Sequence, residues 1–453
     1  MATISIIGSG YVGLVYAAAF ADLGNDVWGV DIDESRVKQL NAGECPIFEP
    51  GLPELIKRGM ATGRLRFTTN YAEAVPCSQF VFVCVDTPST HGGEADMRPV
   101  RRAASMLANH LTDRAIVVNK STMPIGSGDL VAQIIADNAR EGLEFAVVSN
   151  PEFLREGSAV QDVLNPDRII LGADGDQAAA REVEDLYRAL NAPVVITDRR
   201  SAEMIKYASN SFLATRISFI NEIAMICERL GADVTVVAKG MGYDDRIGPL
   251  FLSAGVGFGG SCFPKDVRAL AHMAHEADTH PQLLHAVLEI NADQRRRFVR
   301  RLQDLLGDLE SQRIAVWGLA FKQDTDDMRE APAIDIIQTV QQRGATVVAY
   351  DPAANRNAKA IIPNLETVDS PYDAVRGADA LCIVTPWNEF KQANLSRVAE
   401  LMRKPIILDG RNLYDPADVS ELGITYASIG RQLLRPNLGQ RGGRSSRSWH
   451  RRD

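Results

Sequence analysis

The sequence predicts an α/β protein built from two Rossmann-like, doubly wound parallel-sheet domains joined by a long central helix. Three observations predict it. A strand, a glycine turn, a helix and a second strand ending in an acid occupy residues 3–31; the same succession returns at 313–351; and helical periodicity runs from about Ser201 to Gly231 between them.

In the first succession, Ile4-Ser5-Ile6-Ile7 leads into Gly8-Ser9-Gly10-Tyr11-Val12-Gly13, an alanine-rich helix runs to Leu23, and Val27-Trp28-Gly29-Val30 ends at Asp31. A bare G-x-G-x-x-G is a weak signal, but after a strand, at a helix start and with an acid closing the next strand it marks a dinucleotide site. The glycines admit a pyrophosphate, the helix N-terminus offers amides and positive potential, and Asp31 accepts from a ribose diol. A carboxylate repels a 2′-phosphate, so the expected cofactor is NAD rather than NADP. Phe80 to Val85, Ala115 to Asn119 and Phe145 to Ser149 extend the pattern into a parallel sheet covered on both faces. Ligands gather at the carboxyl ends of such strands, which makes Thr87 and Thr122, in polar turns after two of them, cofactor-contact candidates; each is also an ordinary turn former.

The central periodic stretch places Met204, Ile205, Ala208, Phe212, Ile217, Ile220 and Ile223 mostly three or four apart. A helix this long between two sheets suits a spacer and a subunit contact, so a homodimer is expected. Lys206 and Asn210 share one face of it. They are either a solvated pair or two donors for a developing oxyanion. The segment Asn150-Pro151-Glu152-Phe153-Leu154-Arg155-Glu156-Gly157 follows a strand and carries two carboxylates four apart, which read equally as surface charge or as groups that handle water.

Cys262 lies in Gly257-Phe258-Gly259-Gly260-Ser261-Cys262-Phe263-Pro264-Lys265-Asp266. Glycines allow close ligand approach, and Pro264 suits a first helical position. A helix N-terminus with Lys265 nearby is expected to lower the thiol pKa and make a nucleophile; the plainer reading is a small buried hydrophobe. Asp266, four residues on, is a candidate base or water-orienting group.

The second succession, Ile314 to Lys322, a helix from about Pro332 to Arg343, and Thr346 to Asp351, lacks the G-x-G-x-x-G pattern, so that domain is expected to bind something other than NAD. The domains read as 1–200, 201–305, 306–436 and a disordered basic tail, 437–453. The 453 residues are 45% hydrophobic with net charge −9, which leaves no overall basic field for nucleic acid or an anionic membrane. Without a signal-peptide pattern or a run of ~18 apolar residues, cytoplasmic residence is expected. Six cysteines without paired spacing suit a reducing compartment. No metal is expected, since His272 and His275 have no evident third ligand.

Taken in order, Gly8 to Gly13, Asn150 to Gly157, Phe251-Leu252-Ser253-Ala254-Gly255, Phe258 to Asp266, Gly318 to Lys322 and Arg329-Glu330-Ala331-Pro332 closely resemble the nucleotide-sugar dehydrogenases of the UDP-glucose/GDP-mannose dehydrogenase family, over about residues 1–430. Phe251 to Gly255 and Ser261 to Pro264 are most similar to its UDP-glucose branch. The resemblance implies oxidation of a primary alcohol to a carboxylate with two NAD, here UDP-glucose to UDP-glucuronate, through a thiohemiacetal and a thioester on Cys262. It implies that Lys206 and Asn210 polarise the reacting oxygen and that Asp266, Glu152 and Thr122 handle water and protons. It gives NAD to Gly8, Gly10, Tyr11, Val12, Gly13, Asp31, Arg36, Thr87, Thr122, Glu156, Lys265 and Arg329. It gives the nucleotide sugar to Glu152, Phe153, Leu154, Lys206, Asn210, Phe251, Leu252, Ser253, Ala254, Gly255, Gly259 and Lys322. Asp86 replaces a usual glycine and Arg36 a frequent lysine. The alternatives are GDP-mannose or a UDP-N-acetylhexosamine as substrate, a single-hydride hydroxyacid dehydrogenase, and a non-catalytic nucleotide-sugar sensor.

Overall fold

The computed structural model describes residues 1–90, 92–175 and 177–436, so the expected basic tail from Asn437 lies outside the described residues. The chain divides into two compact units, Met1–Thr215 with Ser261–Leu288, and Arg216–Gly260 with the chain from Glu289.

The first unit holds β1 (Thr3–Ile7), β2 (Asp26–Val30), β3 (Leu65–Thr68), β4 (Phe80–Val83), β5 (Ala115–Asn119), β6 (Phe145–Ser149), β7 (Ile169–Gly172) and β8 (Val194–Thr197), in the spatial order β3-β2-β1-β4-β5-β6-β7-β8. β4 and β5 are buried along their whole length, as continuous apolar runs in a sheet covered on both faces must be. Helix α1 (Tyr11–Asp22) crosses between β1 and β2 and buries Gly13 to Ala21. The strands read from the sequence, β1, β2, β4, β5 and β6, pair in parallel as expected, and beyond them β7 meets β6 antiparallel, through Ser149 and Gly172. An antiparallel neighbour starts at the end where its predecessor stops. Residues 150–168 therefore stay at the carboxyl edge of the sheet instead of crossing a face, and the Asn150 to Gly157 segment is held where ligands bind such sheets.

The second unit repeats the pattern with β9 (Arg313–Trp317), β10 (Thr346–Tyr350), β11 (Glu366–Thr367), β12 (Ala380–Ile383), β13 (Ile406–Asp409) and β14 (Thr425–Ser428), ordered β11-β10-β9-β12-β13-β14 and parallel throughout. This is the doubly wound order that reverses at the first strand. Its core is built around fully buried Trp317, whose ring stacks on Phe390 at 5.0 Å between centroids.

The expected central helix spans Arg199–Leu230, with residues to Thr215 in the first unit and from Arg216 in the second. The cysteine helix, Phe263–Glu276, has Cys262 at its N-cap and Pro264 at its second position, one residue later than expected. Among the described residues, no helix is long and apolar enough to cross a membrane.

Candidate active site

The switch point of the first sheet lies between β1 and β4, and its geometry depends on glycine. Gly8 has φ +97°, and a Cβ there would stand 2.7 Å from the Cys84 carbonyl oxygen; a Cβ on Gly13 would overlap the Gly8 carbonyl. Gly10 is the N-cap of α1 and supplies no side-chain cap, which leaves the first-turn amides for a ligand. Buried Asp31 receives Ser9 N at 2.7 Å, Asp33 N at 3.0 Å and Arg36 Nη1 at 3.3 Å, so its carboxylate is fixed beside the turn with acceptor capacity to spare. Open amides, a glycine approach and an oriented acid fit a dinucleotide. Thr87 Oγ1 donates to the Thr122 carbonyl at 2.7 Å and ties together the turns after β4 and β5.

Asp351, the equivalent acid after β10, differs. It accepts from the backbone of Leu319, Ala320, Ala353 and Ala354 and from Trp387 Nε1, at 2.7–3.1 Å. A carboxylate saturated by its own fold has little left for a ribose, which is the physical form of the expectation that this domain takes another ligand.

In the first unit, the loop after β6, the central helix and the cysteine helix bring four predicted residues into two buried polar pairs beside Cys262, with Lys265 joining one of them. Lys206 Nζ lies 2.9 Å from Glu152 Oε1, and Glu152 Oε2 accepts Leu154 N at 2.6 Å. Asn210 Nδ2 donates to Asp266 Oδ2 at 2.6 Å, and Lys265 Nζ reaches Asp266 Oδ1 at 2.7 Å. Lys206, Asn210, Glu152 and Asp266 are all nearly or fully excluded from solvent. Ser261 Oγ approaches Glu156 Oε1 at 3.1 Å and Cys262 Sγ at 3.5 Å. The Phe153 ring lies under the Arg168 guanidinium at 3.9 Å. Thr122 and Lys206 line one small cavity with Asn119, Ser149 and Glu203.

The expected lowering of the thiol pKa is contradicted. Burial pushes Cys262 up to about 11, the Glu152 and Asp266 carboxylates add to it, and the Lys206 ammonium only partly offsets them. Lys265, invoked as the activating cation, is engaged by Asp266. Lys206 is raised as well: burial alone would lower it, but Glu152, Cys262 and Asp266 raise it overall, which favours the ammonium. The site therefore presents a neutral thiol next to a permanent cation.

Sequence reasoning missed three buried groups. Glu203 accepts Gly126 N, Gly128 N and Ser149 Oγ at 2.6–3.0 Å, and its spacing of three from Lys206 was available as a signal. Glu49 accepts from the Tyr11 hydroxyl, Gly157 N and Ala159 N, which joins the glycine turn to the loop carrying Glu152 and Glu156. Lys120, 2% exposed, has neutral hydrogen-bond partners among the described residues: it donates to Asn150 Oδ1 at 2.9 Å and Tyr187 Oη at 3.3 Å and lies 4.1 Å from the Tyr16 ring centre. Burial lowers Lys120 to about 7. The folded state then binds fewer protons than the unfolded state between about pH 7 and the normal lysine range, so stability rises with pH across that window. Urea unfolding from pH 7 to 9 should show wild type gaining up to roughly 1.4 kcal/mol per pH unit over Lys120→Met. Parallel curves for the two proteins would disprove the buried neutral amine.

In the second unit, Phe251 takes φ +62° and leads a segment fixed by backbone contacts. Gly255 N donates to Asn221 Oδ1, its carbonyl accepts Gln294 Nε2, both at 2.8 Å, and a Cβ on it would stand 2.8 Å from the Gly410 carbonyl. Leu252 and Ala254 are buried and Ser253 is exposed. A Cβ on Gly259 would overlap the Glu330 carbonyl, and Arg329 pairs with Asp327 at 2.7 Å. Lys322 follows Phe321, with Nζ 5.6 Å from that ring centre. These substrate candidates, with Arg329, belong to the second unit, whereas Cys262 and its partners belong to the first.

Three family models of the UDP-glucose/GDP-mannose dehydrogenases match in sequence order: the NAD binding domain over residues 2–191, the central domain over 200–293 and the UDP binding domain over 315–416. The chain is 47% identical over 436 residues to a UDP-glucose 6-dehydrogenase of Bacillus subtilis, covering 96% of this chain and 94% of that protein. A UDP-glucose dehydrogenase structure from Pyrobaculum islandicum superposes with a TM-score of 0.89 at 39% identity, over 95% of this chain and 98% of the other. A UDP-D-ManNAc dehydrogenase structure from Pyrococcus horikoshii gives 0.84 at 30% identity, over 95% and 99%.

Proposed function

The chain belongs to the UDP-glucose/GDP-mannose dehydrogenase family, and from that premise we propose that it oxidises UDP-glucose to UDP-glucuronate in a four-electron, NAD-dependent reaction carried on Cys262. The observation that carries the chemistry is the cysteine at a helix N-cap beside two buried pairs, Lys206 with Glu152 and Asn210 with Asp266. Greater identity to UDP-glucose relatives than to the UDP-D-ManNAc enzyme favours glucose.

NAD, held at Gly8 to Gly13 and Asp31, supplies the hydride acceptor for both oxidations. The chain's own groups do the rest. Lys206 and Asn210 donate to the sugar oxygen as charge develops on it, and Asp266 takes the alcohol proton. Cys262 Sγ then bonds to the aldehyde carbon while its proton passes to the aldehyde oxygen, giving a thiohemiacetal. The thiolate is the attacking form, so a thiol held near 11 has to give up its proton as the bond forms, and the Lys206 ammonium, which lowers the thiol, favours that step. After the second oxidation, water oriented by Glu152, Asp266 and Thr122 adds to the thioester, the C–S bond breaks, and the acid and the free thiol result. Thr87, Glu156, Lys265, Arg36 and Arg329 are read as NAD contacts, and Phe153, Leu154, Phe251 to Gly255, Gly259 and Lys322 as nucleotide-sugar contacts. The test is NADH counted per substrate across UDP-glucose, GDP-mannose and UDP-N-acetylhexosamines. Two NADH per UDP-glucose is expected, while one NADH or a preferred rival sugar overturns the reading.

A homodimer through the central helix belongs to the same proposal. Phe212 is 61% exposed on its first-unit part, and Phe219, Ile226 and Leu230 are exposed on its second-unit part, apolar side chains that a partner helix would cover. Light scattering at micromolar concentration should give twice the chain mass; a monomer mass would rule the dimer out. Residence in the cytoplasm is supported by six cysteines that form no disulfide.

A further inference from the structure

We propose that His275 and His285 form a binding site for one borderline divalent metal ion, at the end of the cysteine helix remote from Cys262. Four of the chain's seven histidines fall within residues 272–285. The turn at 277–281 brings two of them together. Asp278 N bonds to the His275 carbonyl and Thr279 N to the Ala274 carbonyl, and Asp278 takes φ +53°. The helix Gln282–Leu306 therefore starts against the last turn of Phe263–Glu276. His275 Nε2 and His285 Nε2 then face each other at 2.9 Å, with ring centres 5.1 Å apart.

That separation suits a proton shared between the two imidazoles, and a metal ion can take the proton's place. Metal–nitrogen bonds of about 2.0–2.1 Å at a tetrahedral angle put the two nitrogens about 3.3 Å apart. The rings need to part by only a few tenths of an ångström, and both side chains are exposed and can rotate. Imidazole favours Ni²⁺, Cu²⁺ and Zn²⁺ over Mg²⁺ or Ca²⁺. The exposed carboxylates of Glu276 and Asp278 add negative charge at the rim, and Glu276 already lies 3.6 Å from His272 Nδ1. Among the described residues, no group of three or more histidine, cysteine or acidic side chains converges on a point, so the site has two protein ligands with water completing the shell. The sequence, in which His272 and His275 have no evident third ligand, gave no expectation of a metal; the turn instead pairs His275 with His285. The site is independent of the oxidation proposed above.

The probe is Ni²⁺ titrated into the full chain by calorimetry, with the melting temperature followed in parallel. The expected result is one ion per chain with micromolar affinity and a rise of a few degrees. H275A and H285A should each weaken binding at least tenfold and remove the rise, while H272A stays within twofold of wild type. H285A should keep the metal-free turnover rate, and C262S should keep Ni²⁺ binding. No binding at millimolar Ni²⁺, undiminished binding in the H275A/H285A double variant, or loss of binding in C262S would overturn the site.

Discussion

Replacing Cys262 with serine should leave substrate and NAD binding within about threefold of wild type while lowering acid formation by about 10⁴-fold or more, because the thiol proposed to carry the acyl intermediate is gone. The substitution is close to isosteric, so the fold should survive. The informative readout is the split between steps. Rapid quench should still detect the first oxidation, slowed and without a covalent adduct, whereas mass spectrometry of the wild-type enzyme should trap one. An alkoxide is harder to generate than a thiolate and a poorer leaving group, so serine cannot stand in at neutral pH. Sustained conversion to acid by the serine variant would refute the covalent route.

Lys206→Ala should be the most damaging change elsewhere in the site. It removes an ammonium 3% exposed and leaves the Glu152 carboxylate buried without its 2.9 Å partner. Breaking a buried pair on one side typically costs about 3–5 kcal/mol, and loss of an oxyanion donor typically lowers kcat by about 10²–10³-fold. Because Lys206 is the principal cation opposing the upward push on Cys262, the thiol should also become less reactive, and alkylation by iodoacetamide at pH 8 should slow. Chemical unfolding, steady-state kinetics and alkylation rates check the three parts. A variant of wild-type stability with kcat within tenfold would show that Lys206 is a bystander. The double substitution Lys206→Met, Glu152→Gln separates the effects: it should regain much of the stability and none of the turnover.

The pieces of this site were legible because each sits in a local pattern with a physical reason. Glycine spacing before a helix marks a phosphate approach, an acid at a strand end marks a ribose partner, and a cysteine among glycines before a proline marks a helix start open to ligand. Lys206 and Asn210 share a face by helical arithmetic alone. Those patterns and the repeated strand–turn–helix–strand order were enough to read two doubly wound domains and the cofactor class.

The partners of each group were not legible, since they depend on contacts between residues tens of positions apart. Lys206 with Glu152 spans 54 residues and Asn210 with Asp266 spans 56. The sign of the thiol shift turned on this. The local view had only a helix N-terminus and Lys265, both lowering; the folded chain surrounds the sulfur with protein and sets Glu152 and Asp266 near it, and desolvation with two anions outweighs one cation. The burial of Lys120 was not legible, because nothing in Lys120-Ser121-Thr122 announces Tyr16, Asn150 and Tyr187 around it. The antiparallel turn at β7 was hidden for the same reason, as strand direction is set by which edge the chain returns to and not by strand composition. The sequence by itself determined the elements, their order and the chemically active side chains, because these follow from short-range sterics and periodicity. The tertiary structure alone decided charge states, pairings and strand direction, because these depend on burial and on distances between segments that no local spacing encodes.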